Sequence, residues 1–139
     1  MSDNLLQPLR KIKLGERELT LLGDFAALRL LQQTFDKDLI HLQRAIMYLR
    51  QDEIARFITA VLQSNGDKAV TEEEIGGLIV DEVGVGEPAY EQLKGELMSF
   101  LAVAMTPKKD RLKKAEELAA VLEKLQLAAS PGQTTNSSA

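Results

Sequence analysis

The repeat period of the apolar residues changes once along this chain, at Gly23-Asp24, and that change limits the folds open to it. Before it, residues 9–14 (LRKIKL) alternate, with Ile12 and Leu14 on one side and Lys11 and Lys13 on the other. A period of two belongs to an extended strand. Gly15-Glu16 then offers a turn, since Gly15 can take the positive φ that a short hairpin loop requires. Leu19 and Leu21 give the return strand an apolar face opposite Glu18 and Thr20. A lone hairpin is marginal in water and must pack on something. After Asp24 the apolar residues recur at three- and four-residue spacing, the mark of helices buried along one stripe. The expected fold is therefore mainly α: a small helical domain with an N-terminal β-hairpin and a C-terminal amphipathic helix.

The helices can be placed from their start and stop signals. Asp24 is a candidate N-cap for a helix over Phe25–Phe35. Its apolar stripe is Phe25, Leu28, Leu31 and Phe35, widened by Ala27 and Leu30. Asp36-Lys37-Asp38 breaks the pattern, and a second helix starting near Asp38 carries Leu39, Leu42, Ile46 and Leu49. Either it stops near Arg50, with Asp52 capping a third helix through Ile54, Phe57, Ile58, Val61 and Leu62, or one long helix runs from Leu39 to Gln63. Ser64-Asn65-Gly66-Asp67 is a loop. Thr71 and Glu74 stand at capping-box spacing before a short helix that holds Ile75, Leu78 and Ile79. Val83-Gly84-Val85-Gly86 connects to a helix opened by Pro88, with Leu93, Leu97, Phe100, Leu101 and Ala104 facing inward to about Met105. Thr106-Pro107 repeats the start signal, a capping hydroxyl followed by proline. A final helix from Lys108 to about Ala128 places Leu112, Ala115, Leu118, Leu122 and Leu125 on one stripe. The organisation read from these signals is an arm at 1–8, a hairpin and helical core at 9–105, a terminal helix at 106–129 and a disordered tail at 130–139.

Composition removes most chemistries. The 139 residues include no Cys, no Trp and one His. Thiol catalysis, disulfides and zinc-thiolate sites are excluded, and a cytoplasmic location is the default. The net charge of −4 leaves no surplus of cations to neutralise phosphates, so nucleic-acid binding is not expected. No apolar run approaches the roughly 20 residues needed to cross a bilayer, so no membrane partner is expected. The opening MSDNLLQPLR lacks the basic-then-apolar order of a signal peptide.

The remaining motifs point to binding rather than turnover. His41 has no nucleophile arranged around it and reads as a helix-surface or boundary residue. Glu72-Glu73-Glu74 point about 100° apart on a helix and cannot converge on a metal, whereas helix capping accounts for Thr71 and Glu74. Gly84-Val85-Gly86 lacks the third glycine and the preceding strand of a nucleotide loop. No catalytic residue, metal ligand or cofactor is expected. The basic run Lys108, Lys109, Arg111, Lys113 and Lys114 lies at a helix N-terminus, where positive charge opposes the dipole. An acidic partner would relieve it, although Glu116, Glu117 and Glu123 can also compensate within the helix. The candidate partner-binding surface is Leu112, Leu118, Leu122 and Leu125, with Lys108, Lys109 and Arg111 as its electrostatic rim.

The order of these features resembles a family. Lys11-Ile12-Lys13-Leu14-Gly15-Glu16-Arg17-Glu18-Leu19-Thr20-Leu21 is similar to the "I-x-L-G-G-x-x-y-x-L" opening of phage and gene-transfer-agent tail proteins. Asp24-Phe25-Ala26-Ala27-Leu28 resembles their "f-x-A-L-x-x-L-E" helix, and the later helices follow in the same order to Met105. Glu16 replaces a common second glycine, Gln32 or Gln33 stands where an acid is frequent, and the helix after Pro107 extends beyond the usual core. The resemblance implies a tail-assembly chaperone, not an enzyme, that binds and solubilises the tape-measure protein in the host cytoplasm. The tail-tube protein and a second copy of the chain are further candidate partners. The alternatives are a structural tail component, such as a tube or terminator subunit, and a helical adaptor unrelated to phage.

Overall fold

The computed structural model describes residues 8–128. Residues 1–7 of the expected arm at 1–8 and the tail over 130–139 lie outside the described residues. Two strands, β1 (Leu9–Leu14) and β2 (Arg17–Leu22), form an antiparallel hairpin with Leu14 paired to Arg17 and Leu9 to Leu22. Gly15 has φ 68° while Glu16 has negative φ, the combination of a type II′ turn. Ile12, Leu14, Leu19 and Leu21 are buried, and Lys11, Lys13, Glu18 and Thr20 face outward, so the period-two reading of the faces holds.

Helices follow in the order α1 (Phe25–Phe35), α2 (Leu39–Ala45), α3 (Gln51–Ser64), α4 (Glu72–Leu78), α5 (Pro88–Ala104) and α6 (Arg111–Ala128). Short 3₁₀ turns lie at Ile46–Tyr48 and Lys108–Asp110, and a π turn at Ile79–Val83. The chain is thus mainly helical with one N-terminal hairpin. Asp24 caps α1, its carboxylate accepting the Ala27 N–H at 3.0 Å, and Asp38 caps α2 by accepting the His41 N–H at 2.9 Å. Helix α3 is the centre of the core. Ile54, Phe57, Ile58 and Val61 are fully buried between β2, α1 and α4. The Phe57 ring meets Phe35 at 6.3 Å and Phe100 edge-on at 6.2 Å, which ties α1, α3 and α5 together. Lys94 on α5 is also buried. Its ammonium donates to the Met47 carbonyl at 3.1 Å, pairs with Glu91 at 2.9 Å and lies 4.8 Å from the Tyr90 ring centre. These contacts pin the 3₁₀ turn to α5 and satisfy a charge that burial would otherwise penalise. The Asn65 side chain does the same for β2, bonding both the N–H and the carbonyl of Leu22.

Several local expectations need correction. Phe25 is not on the buried stripe: it is 76% exposed, with the Arg29 guanidinium 6.0 Å from its ring centre. As the first residue of α1, its side chain leans back past the helix start, beyond the packed layer. Asp52 is not a cap. The break falls at Leu49-Arg50, which take extended backbone, and α3 begins at Gln51. The Glu53 carboxylate accepts the Arg50 N–H at 3.0 Å, and Asp52 pairs with the Arg50 guanidinium at 3.1 Å. One long helix from Leu39 to Gln63 is therefore not formed. Thr71 caps α4 by accepting the Glu74 N–H at 3.1 Å, but the Glu74 carboxylate pairs with Arg17 on β2. Thr106 does not cap the final helix. Its hydroxyl donates back to the Ala102 carbonyl at 2.6 Å, and a 3₁₀ turn over Lys108–Asp110 precedes α6.

Candidate docking site

Helices α5 and α6 form an antiparallel pair joined by a tight corner. Asp110 N–H donates to the Pro107 carbonyl at 2.8 Å, and Arg111 Nε donates to the Thr106 carbonyl at 3.0 Å. From this corner α6 runs back along α5 and reaches Gly95, where Leu122 Cδ2 lies 2.9 Å from the position a Cβ would take. That spacing explains a glycine in the interior of a helix, where it costs about 1 kcal/mol relative to alanine. A Cβ there would make the end of the Leu122 side chain shift.

The start of α6 also faces the hairpin. A cleft of about 90 Å³ opens between Pro8 and Leu9, Phe100 and Val103 of α5, and Leu112 and Ala115 of α6. Arg10 and Ser99 give it a polar edge. The Arg10 guanidinium donates to Ser99 Oγ at 3.4 Å and pairs with Glu96 at 3.7 Å. Burial pushes the Glu96 carboxyl above its ordinary range, and the Arg10 charge pulls partly the other way.

The predicted surface residues fall into three groups. Leu118 and Leu122 are half-buried on the side of α6 that meets α5, whereas Leu112 is 51% exposed. Lys108 and Lys109 are exposed in the 3₁₀ turn, and Arg111 is half-buried with its guanidinium engaged at the corner. The side chain of Leu125 lies outside the described residues. No described α6 side chain is buried, in contrast to the core helices. Val121, 52% exposed, and Leu9, 45% exposed, add apolar surface that the stripe did not include. Gly95 was also missed as a site residue. Its only sequence signal was a glycine inside an otherwise helical pattern, which points to close approach by another element.

His41 is exposed and contacts Asp38 Oδ1 at 2.8 Å through Nδ1. Among the described residues, no group of three or more His, Asp or Glu is arranged to hold a metal ion, and no helix is long and apolar enough to cross a membrane. No protein-family model matches the chain, and neither the curated proteins nor the solved structures contain a match to it.

Proposed function

We propose that this chain is a tail-assembly chaperone of the phage and gene-transfer-agent type, working in the host cytoplasm to bind the tape-measure protein and keep it soluble. The observation that carries the reading is α6. It is the last described helix, and it is attached to the domain by half-buried leucines rather than built into the core. A long helical tape measure exposes apolar stripes before tube subunits enclose it, and such stripes drive aggregation. A small acidic module that offers one complementary helix covers the stripe and adds charge to the complex. The hairpin-then-helices order supports the reading through its resemblance to that family. The chemistry needed is association alone, with affinity set by the apolar contacts and orientation by the cations at the α6 start. Co-expression with the tape-measure protein of the same genome tests it. A soluble complex recovered by pull-down is the expected result, and two folded proteins that fail to associate refute it.

A further inference from the structure

We propose that the groove formed by α5 and the start of β1 is a docking site for an amphipathic helix of a partner, and that α6 is its built-in competitor. The groove already selects a helix. It has a notch at Gly95 that takes a leucine methyl, with Leu118 one turn earlier and Ala115 at the cleft beside Phe100 and Val103. Its demand along an incoming helix is an apolar residue at i, i+3 and i+7. The chain's own helix meets that demand incompletely. The cleft beside Ala115 leaves about 90 Å³ open. A larger side chain at that position fills it.

Charge adds a second preference. Lys109 stands exposed in the 3₁₀ turn before α6, at the end of the groove where a docked helix starts and its dipole disfavours cations, and it stays with the corner when α6 leaves. A partner helix with acidic residues in its first turn suits its own dipole and meets the cationic corner left beside the groove. The partner is therefore an amphipathic helix with an acidic N-terminal turn and three large apolar residues at that spacing. Leu118 and Leu122 then do two jobs: docked, they close the groove; released, they form an apolar stripe of their own. This inference rests on the chaperone reading only for the origin of the partner helix.

The probe is a labelled peptide of residues 111–128 carrying Ala115→Leu and Lys113→Glu, titrated by fluorescence anisotropy into the full chain. Leu122→Ala weakens the competitor and should tighten peptide binding about fivefold, because the open fraction of the groove rises. Gly95→Leu fills the notch and should weaken binding at least about tenfold, a difference worth ~1.4 kcal/mol. Val103→Asp blocks the other end of the groove and repeats that test independently. Tighter binding to Leu122→Ala together with loss in both blocked variants supports the proposal. Equal affinity for the unsubstituted chain and Leu122→Ala overturns the competition, and undiminished binding to both blocked variants overturns the site. A tape measure that is not captured while the peptide still binds removes the chaperone reading and leaves the groove standing.

Discussion

Helices α3 and α6 are of similar length, 14 and 18 residues, yet they belong to the molecule in different ways. Helix α3 presents Ile54, Phe57, Ile58 and Val61 at zero exposure to neighbours on several sides. Helix α6 meets its main neighbour, α5, along one face and buries no described side chain completely. The difference lies in pattern and in enclosure: the apolar residues of α3 gather on one side, those of α6 are spread more evenly, with Leu112 and Val121 exposed, and the surrounding elements decide how much of each face leaves water. Stability then varies along the chain, highest where α3 is enclosed and lowest in α6. Binding surfaces are drawn from that weaker end.

The contrast can be broken most severely at Phe57. Phe57→Ala removes the ring that joins Phe35 and Phe100 and should lower unfolding stability by about 3–5 kcal/mol, read from the urea midpoint. A smaller change of opposite sign is expected at Thr59, which is 3% exposed with a hydroxyl that has no hydrogen-bond partner among the described residues. Thr59→Val should raise stability by about 1 kcal/mol, since an unsatisfied buried hydroxyl is replaced by a methyl. Placing Asp at both Leu118 and Leu122 should shift the core midpoint by less than ~1 kcal/mol while α6 loses helicity. A collapse of the whole melting transition in that variant would put α6 in the core and erase the contrast.

The smallest expected effect is in pH. Burial holds the Glu96 proton to higher pH in the folded chain than the ordinary value of 4.5. Its favourable contribution is therefore present below 4.5 and lost as pH rises through the folded value. Asp38, held low by the His41 N–H, and Asp52, held low by the Arg50 guanidinium, act in the opposite sense and lose stability only as pH falls below 3.8. Glu96→Gln should flatten the decline above 4.5 in a pH series of thermal melts and leave the acid limb unchanged.

Much of the architecture was legible because local signals agreed with tertiary packing. Gly15 between two period-two runs specified the hairpin and both of its faces, and Asp24, Pro88 and Thr71 marked true helix starts. The α2–α3 break had no glycine or proline to announce it. It is made by Leu49-Arg50 turning extended, with Glu53 bonding the Arg50 N–H and Lys94 anchoring the preceding turn from across the fold. Phe25 misled because spacing places a residue on a face without saying whether that end of the helix is covered. At the candidate site, spacing placed Ala115, Leu118 and Leu122 together on a partly buried face, whereas Leu112 of the same expected stripe is 51% exposed. The Gly95 notch was not, since it exists only once Leu122 is laid against it, 27 positions away in the chain.

Native-state hydrogen exchange, resolved residue by residue across a low-urea series, tests the two-region claim most directly. Amides of α6 from Leu112 to Leu122 should exchange through a local opening of low free energy that is nearly independent of urea. Amides of α3 from Phe57 to Val61 should exchange only with global unfolding. Equal protection of the two helices, with the same urea dependence, would contradict it.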